Sequence, residues 1–308
     1  MLILTREQSS FFFDPKAAPA GKATVGDRVK FQTKDCFSDE LRTDHDLATA
    51  IDMSYVNPCT GPLFVEGAKP GSVLVIEIEE IALRDWGVLT LIPHEGVLDE
   101  FIAGPVTKIV PIKQTGATEG YVEFSDDIRL DLRPHVGTIG TTPMMRTATG
   151  RAYNHGGNMD IQKACVGSKI YFPVFVDGGM LMMGDVHANM GDGELCIGVE
   201  TAADVTISIA GIHRDIFLSA PMIETATHWI AYADGPTGRI GVREVCRRMS
   251  EFLSSRAGLS NEDASLLIST CADIRFAQWS ENGANYTFYL EFPKKVFRSG
   301  KLDKFTIG

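Results

Sequence analysis

Apolar and polar residues alternate in short runs over residues 1–230, and glycine and proline separate one run from the next. In the run 72–81, leucine and isoleucine occupy one face, whereas Glu77 falls on the other. This period of two is typical of β-strands with one buried face. A second run at 169–176 is rich in β-branched and aromatic residues. Short strands in such number predict a body that is a β-sandwich or a barrel.

The pattern changes near residue 235, where apolar residues recur at helical spacing over 242–253. Gly258 follows this run and predicts the end of the helix. Ser260 then predicts the N-cap of a second helix, with Asp263 three residues later as in a capping box. The tail of the chain therefore begins with two consecutive helices.

Two strands are predicted after these helices, at 274–279 and 286–292, joined by a turn that contains Asn-Gly at 282–283. The chain is thus predicted to be mostly β, of the α+β type, with a sandwich- or barrel-like body and a C-terminal helix–helix–hairpin unit. We expect a β-rich body that carries the chemistry at residues 1–235. A C-terminal α/β unit at 236–308 is expected to pack on it.

The chain of 308 residues has 40 acidic and 29 basic residues, which gives a formal net charge of −11. This charge repels phosphate backbones and anionic lipid surfaces, so neither nucleic acid nor a membrane is an expected partner. The N-terminus does not look like a signal peptide, and no apolar run reaches the roughly 20 residues of a membrane helix. These observations predict a cytoplasmic protein whose charge suits a small neutral or cationic substrate.

The six cysteines are scattered and form no Cys-x-x-Cys pair, which argues against a disulfide framework and a zinc knuckle. The sequence also lacks a Gly-x-Ser-x-Gly elbow and a His-Glu-x-x-His motif. A lone cysteine such as Cys196 or Cys36 is a candidate nucleophile, and a small buried side chain is the alternative interpretation.

The densest group of polar residues lies in 154–160 and 184–194, on either side of the predicted strand 169–176, and Glu200 follows. The candidate functional side chains in these segments are His155, Asn158, Asp160, Asp185, His187, Asp192 and Glu194. A histidine with two or three carboxylates is a suitable ligand set for a divalent cation such as zinc. Asp185 and His187 are two residues apart, so both side chains would lie on one face of a strand.

A structural interpretation of these segments stays open from the spacing alone. Gly-Asp-Gly is common in turns, and Asp192-Gly193 is typical of a hairpin turn. Glycine-rich segments with carboxylates also bind calcium, although the spacing of an EF-hand is absent here.

The order and spacing of several motifs resemble the acetamidase/formamidase family. The central motifs are Gly156-Gly-Asn-Met-Asp160, Gly167-Ser168, Pro173-Val-Phe-Val176, Gly184-Asp-Val-His187 and Gly191-Asp-Gly-Glu194, with Glu200. Further matches are Asp35-Cys36-Phe37, Asn57-Pro-Cys-Thr-Gly-Pro62, Val65-Glu-Gly-Ala-Lys-Pro-Gly71 and Gly137-Thr-Ile-Gly140. The resemblance covers nearly the whole chain. It implies hydrolysis of formamide, acetamide or a related small amide to ammonia and the acid, in a homo-oligomer (dimer or higher) with a divalent metal.

Site roles follow from this resemblance. Asp35, Asp160 and His187 are the expected ligands of the metal, which is expected to be zinc, with calcium as the other option. Glu77 and Glu194 are the candidates for general base and general acid. Backbone N–H groups at 156–158, around Asn158, are expected to hold the oxyanion.

Three segments, 38–53, 86–99 and 141–143, depart from the family pattern, and we expect them to line the substrate pocket. They leave the particular amide open. Two other functions also stay open from the sequence. One is a non-catalytic β protein that binds a small molecule, and the other is an amidase with a cysteine nucleophile.

Overall fold

The computed structural model of this protein describes residues 1–279 and 286–302, so the predicted turn at 282–283 lies outside the described residues. The described chain is mostly β with two α-helices, α1 Gly238–Ala257 and α2 Asn261–Cys271. This confirms the predicted fold class. No helix in the described ranges has the length and apolar character needed to cross a membrane.

The strands are β1 Leu2–Leu4, β2 Ser9–Ser10, β3 Phe12–Phe13, β4 Gly21–Ala23, β5 Arg28–Gln32, β6 Cys59–Val65, β7 Val73–Leu83, β8 Trp86–Leu91, β9 Val106–Gln114, β10 Gly120–Ser125, β11 Ile128–Asp131, β12 His135–Gly140, β13 Thr147–Ala148, β14 Ala152–Tyr153, β15 Gly156–Asn158, β16 Lys169–Pro173, β17 Leu181–His187, β18 Glu200–Thr201, β19 Ala203–His213, β20 Met222–Glu224, β21 His228–Gly235, β22 Asp273–Gln278 and β23 Tyr286–Pro293. Short 3₁₀-helices occur at Ala48–Ala50, Met53–Tyr55, Asp99–Phe101 and Lys294–Val296.

Most of these strands form two large sheets. One has nine strands in the order β1-β5-β19-β7-β16-β20-β21-β23-β22. The other has twelve strands and follows the path β11-β10-β9-β8-β18-β17-β12-β15-β14, with β6 beside β17 and with β2 and β4 beside β6. β3 and β13 form a separate two-stranded sheet.

The two large sheets share one hydrophobic core, which makes the body a sandwich. Leu74 and Ile76 of β7 lie in this core together with Ile139 and Met183 of the twelve-stranded sheet. A β-bulge in the pairing of β7 with β19 shifts the register, and Ile81 then returns to the core. The period of two therefore identifies the core face as far as Ile78, whereas it would place Ile81 on the face of Glu77, and the bulge reverses that assignment.

The other face of the nine-stranded sheet packs against the helices. Val73 and Val75 of β7 share a cluster with Val245, Met249 and Phe252 of α1. The strand β23 pairs with β21 over its whole length, so the C-terminal hairpin continues the same sheet. A domain boundary at residue 235 stays a prediction.

The predicted ends of the helices agree with the structure. Gly258 adopts a left-handed conformation with φ of 69° after α1. The Ser260 side chain accepts a hydrogen bond from the Asp263 backbone N–H at the start of α2. These ends are local features, which is why the sequence alone predicts them.

We expect Ile76→Ala to lower the free energy of unfolding by about 2–5 kcal/mol, because it removes a fully buried side chain and leaves a cavity. The matched control is Ile240→Ala on α1, where the side chain is 50% exposed. This control should change stability by less than about 0.5 kcal/mol. Urea denaturation measures both variants. Equal losses in the two would contradict the assignment of Ile76 to the core.

Candidate active site

Four carboxylates and one histidine meet beside β17 and β18, and we call them the acidic cluster. They are Asp160, Asp185, His187, Glu194 and Glu200. Asp185 and His187 share one face of β17, as the sequence predicts. Glu200 on β18 lies directly opposite His187 in the strand pairing. Cross-strand pairing thus joins side chains that are separated along the chain.

Asp160 lies two residues after the end of β15, and Glu194 lies in the segment between β17 and β18. The His187 Nε2 atom is 2.7 Å from Glu200 Oε1, 3.6 Å from Glu194 Oε1 and 4.0 Å from Asp185 Oδ1. No side chain of the cluster is more than 9% exposed. One imidazole therefore meets four carboxylates in a region of low dielectric.

The backbone of the cluster is strained at three of its carboxylates. Asp160, Asp185 and Glu194 have φ angles of 48°, 58° and 34°. A left-handed conformation at a non-glycine residue costs about 1–3 kcal/mol and persists only where the surrounding structure imposes it. The glycine at Gly137 is equally constrained, since a Cβ atom there would lie 2.4 Å from Asp160 Oδ1 and 2.8 Å from His187 Cε1.

Burial and like charges set the protonation of the carboxylates. Burial, reinforced by Glu200, raises the pKa of Asp185 to about 7. Burial also raises the pKa values of Asp160 and Glu194 well above their usual range, and nearby carboxylates add to this, chiefly Glu194 for Asp160 and Glu200 for Glu194. Burial alone would lower the pKa of His187, but the carboxylates of Glu200, Asp185 and Asp160 together outweigh it and the pKa rises to about 10.

Several polar atoms of the cluster have no hydrogen-bond partner within the described part of the chain. They include Asp160 Oδ1, His187 Nε2 and both carboxylate oxygens of Glu200. The short contact between His187 and Glu200 is too poorly directed to count as a hydrogen bond. Unpartnered polar atoms at such depth are rare in proteins and indicate a site for a ligand, an ion or water.

Two sets of side chains in the described residues can each hold a metal ion. One set is Asp160, His187 and Glu194, and the other is Cys36, Asp185 and Glu200. Within each set the ligand atoms lie within 4.8 Å of one another. Imidazole nitrogen, carboxylate oxygen and thiolate sulfur are the donors that zinc uses in proteins. The residues therefore fit the divalent metal that the sequence predicts.

The C-terminal hairpin also reaches this site. Gln278, the last residue of β22, donates from Nε2 to Asp160 Oδ2 at 2.5 Å and to Glu194 Oε2 at 3.0 Å. The backbone of Gly193 pairs with Ala277 and Trp279 beside it. One amide group thus fixes two of the carboxylates and links the tail to the body.

A pocket of about 200 Å³ lies at the acidic cluster, and Asp185, Glu194 and Glu200 are among its lining residues. Segments 38–53 and 86–99 contribute lining residues, as expected from their departure from the family pattern. The expectation is wrong for 141–143. Thr141 and Thr142 are fully buried, and their hydroxyls donate to backbone oxygens elsewhere.

Asp35 is buried beside the site but is fully engaged in hydrogen bonds. Its Oδ1 accepts from the backbone N–H groups of Phe37 and Asp39, and its Oδ2 accepts from Arg84 at 2.7 Å. Burial and the nearby Asp39 raise the pKa of Asp35 to about 6, despite the Arg84 guanidinium. The carboxylate stabilises the turn that positions Cys36, and it is Cys36 that reaches the cluster.

Glu77 does not reach the acidic cluster. It lies on the face of β7 opposite the sandwich core, with a side chain 38% exposed and 3.8 Å from Lys169 Nζ. The alternation that places its neighbours in the core directs Glu77 away from it. The structure thus contradicts its expected place in the site.

Asn158 lines the pocket, and its Oδ1 accepts from Thr138 Oγ1 at 2.7 Å and from Asn57 Nδ2 at 3.2 Å. The Asn158 backbone N–H, one of the donors expected to hold the oxyanion, is instead bonded to the Arg151 carbonyl. The expected backbone donors are thus engaged in β-structure, whereas the side chain of Asn158 faces the pocket.

The structure does not bring His155 and Asp192 into the acidic cluster. His155 is buried against the Phe13 ring, with centroids 4.7 Å apart, and burial lowers its pKa to about 4. Asp192 is exposed and accepts hydrogen bonds from Tyr289 and Gln162. Asp192 lies in a turn within the long segment between β17 and β18, and this turn is not the tight turn of a hairpin.

Three residues of the site are not among the metal ligands or proton-transfer groups that the sequence predicts. Glu200 is the last residue of the central family motifs, but its position opposite His187 depends on the register between β17 and β18. Cys36 is a candidate nucleophile from the sequence, whereas the structure places it among possible metal ligands. Gln278 belongs to a strand far away in sequence, and no local pattern distinguishes it from other glutamines.

The fold and site together define a β-sandwich protein with a buried acidic site. The model of the acetamidase/formamidase family matches residues 6–146 and 144–299. These matches cover most of the chain, so the chain belongs to the acetamidase/formamidase family. This confirms the predicted family and the amidase class.

Individual relatives agree with this assignment. The chain is similar to an acetamidase from Bacillus halodurans whose crystal structure is known, with 36% sequence identity. The match covers 97% of this chain and 99% of that chain, and the two structures superpose with a TM-score of 0.91. The formamidase of Methylophilus methylotrophus is 25% identical over 71% of this chain and 72% of its own length. The putative formamidase of Schizosaccharomyces pombe is 24% identical over 64% of this chain and 63% of its own length.

We expect Asp185 to make the metal-free protein less stable as the pH rises. A carboxylate whose pKa is raised on folding stabilises the fold below its unfolded pKa of about 4, and this contribution is lost as the pH rises through about 7. Asp185→Asn should therefore remove part of the fall in stability between about pH 4 and pH 8.

Thermal denaturation of chelator-treated protein measures this effect. Asp177→Asn is the control, because Asp177 forms an exposed ion pair with Lys69. The raised pKa of Asp185 would be contradicted if, between about pH 4 and pH 8, the wild-type protein became more stable relative to Asp185→Asn.

Proposed function

We propose that this protein hydrolyses a small amide to ammonia and a carboxylic acid in a metal-dependent reaction. The observation that carries the proposal is the group of buried, unpartnered atoms at Asp160, His187 and Glu200 in a pocket lined by carboxylates. Family membership supports amide hydrolysis, and the relatives include an acetamidase and a formamidase.

The proposed metal ligands are Asp160, His187 and Glu194. Asp160 and His187 keep the role that the resemblance implies, whereas Glu194 replaces Asp35 and becomes a ligand rather than a general acid. Zinc suits this set, because calcium prefers six to eight oxygen ligands and the set includes an imidazole. A bound divalent ion would act as a Lewis acid that acidifies water and polarises the amide carbonyl.

The proposed proton-transfer pair is Glu200 and Asp185. The two carboxylates are neighbours, and the raised pKa of Asp185 lets it hold a proton near neutral pH. Burial and the neighbouring Glu200 carboxylate both favour the protonated form of Asp185. Glu200 would accept the proton from the attacking water as general base, and Asp185 would deliver one to the leaving nitrogen.

Asn158 is proposed to hold the carbonyl oxygen of the substrate. Its Oδ1 is fixed by Thr138 and Asn57, which leaves the Nδ2 hydrogens as donors in the pocket. A donor fixed in this way stabilises the oxyanion in the transition state, an effect of about 3–4 kcal/mol in comparable enzymes.

A cysteine nucleophile is less well supported. Burial raises the pKa of Cys36 well above its usual range, and Glu200 raises it further. Burial also raises the pKa of Cys196, whose Sγ lies 3.6 Å from the Thr90 carbonyl oxygen. Nucleophilic cysteines have a lowered pKa, so neither thiol has the expected environment. The non-catalytic binder is a weaker candidate, since an apolar or sugar-binding pocket has no need of four buried carboxylates.

We propose further that the protein acts in the cytoplasm as a homo-oligomer and has neither nucleic acid nor membrane as a partner. The net charge of −11 supports the last two points, because it opposes binding to phosphate backbones and anionic lipids. Size-exclusion chromatography with light scattering tests the oligomeric state.

Removal of the metal should abolish release of ammonia from acetamide, and added zinc should restore it. His187→Ala should lower the bound zinc, measured by mass spectrometry, by at least about tenfold because an imidazole ligand is lost. His45→Ala is the control, since His45 is exposed in a loop. Full turnover by zinc-free wild-type protein would contradict the metal-dependent reaction.

Glu200→Gln should lower kcat by about 10²–10⁴-fold, because it removes the proposed general base while keeping the size of the side chain. Glu77→Gln should leave kcat within about twofold, in line with an exposed surface position. Steady-state kinetics on acetamide compares the two variants. A larger loss in Glu77→Gln than in Glu200→Gln would return the role of base to Glu77.

A further inference from the structure

We infer that the pocket selects uncharged primary amides whose acyl group has about four or five carbons, in preference to formamide and acetamide. This inference rests on the proposed amide hydrolysis and concerns the substrate class of the same site. Three features of the pocket carry it: an apolar lining, its volume and the sign of its charges.

The apolar lining of the pocket consists of Phe37, Val56, Ile92 and Ile197, with Met53 and Trp279. The first four belong to one hydrophobic cluster around Leu41 and Val88, so the packing of the body holds them in place. Formamide has no carbon side chain that could contact such a surface. An acyl chain would remove it from water, which is favourable in proportion to the area buried.

The volume of the pocket exceeds what the smallest amides fill. A cavity of about 150 Å³ binds benzene, which has six non-hydrogen atoms, so a pocket of about 200 Å³ has room for about six to eight. Formamide has three such atoms and acetamide four, whereas butyramide has six and valeramide seven. The smaller amides would leave water against the apolar side chains.

The charges that line the pocket exclude an acidic substrate. Asp185, Glu194, Glu200 and Glu95 contribute carboxylates, and no lysine or arginine is among the described lining residues. A carboxylate on the acyl chain would meet like charges in a region of low dielectric without a partner. A positively charged acyl chain would have to lose its hydration water where it contacts the apolar lining, which costs free energy. An uncharged aliphatic chain suits both parts of the pocket.

Two segments that depart from the family pattern supply part of this lining. Met53 lies at the end of 38–53, and Ile92 and Glu95 lie within 86–99. The catalytic side of the pocket, by contrast, is built from residues of the shared motifs.

The test is kcat/KM for formamide, acetamide, propionamide, butyramide, valeramide and octanamide with the zinc-loaded enzyme. We expect kcat/KM to rise about fourfold with each added methylene up to butyramide or valeramide, and then to fall. Succinamate, a chain of similar length with a carboxylate, should react at least about 100-fold more slowly than butyramide. A kcat/KM that falls steadily from formamide or acetamide onward would overturn the inference and leave the proposed function intact.

Ile197→Phe should lower the ratio of butyramide to acetamide turnover by about tenfold, because it fills the acyl side of the pocket. Ile240→Phe on the exposed side of α1 is the matched control and should keep the wild-type ratio. An unchanged ratio in Ile197→Phe would contradict this location for the acyl chain. Absence of ammonia from every amide, formamide and acetamide included, would overturn the proposed function and the inference with it.

Discussion

The contact between His187 and Glu200 across β17 and β18 governs the rest of the site. It puts a carboxylate 2.7 Å from an imidazole in the interior, where charges are expensive unless they are paired. Three further carboxylates surround this pair, so a single imidazolium cannot neutralise the group. The protein has two ways to relieve the repulsion, which are protonation of some carboxylates and binding of a cation. The raised pKa values of Asp160 and Asp185 favour protonation, and the carboxylate oxygens without hydrogen-bond partners are available to bind a cation.

A cluster of this kind requires a rigid frame, since its charges would otherwise separate and take up water. The sandwich provides one, because β17 has neighbours on both sides and its apolar residues lie in the shared core. Close packing extends to the imidazole ring of His187 itself. A Cβ atom at Gly198 would lie 2.5 Å from His187 Cδ2, so glycine is required beside the ring. The left-handed carboxylates are a further sign that the frame imposes the geometry.

The sequence predicts what depends on local order along the chain. The strands follow from a period of two, the helix ends from Gly258 and Ser260, and the meeting of Asp185 with His187 from their spacing on one strand. Features that depend on strand register or on packing between distant segments cannot be predicted in this way. Glu200 meets His187 because β18 pairs with β17, and a shift by one residue would direct it away. Glu77 is the opposite case, since the local alternation along β7 already directs its side chain away from the core, whereas its expected role came from the resemblance to the family.

Asp35 and Gln278 show how much of the site lies beyond any motif. Asp35 belongs to a recognised motif and is buried, yet Arg84 and two backbone N–H groups occupy its oxygens. Its contribution is the turn that brings Cys36 to the cluster. Gln278 belongs to no recognised motif, yet it donates to Asp160 and Glu194 together.

The two bonds of Gln278 have a consequence for assembly of the site. Two carboxylates that repel each other are held side by side by one neutral amide, which comes from the penultimate strand of the C-terminal hairpin. If Asp160 and Glu194 are metal ligands, their geometry depends on β22 being paired in the nine-stranded sheet. Partners that orient ligands change metal affinity by one or two orders of magnitude. Metal binding and docking of the tail would then stabilise each other, because each requires the same arrangement of the two carboxylates.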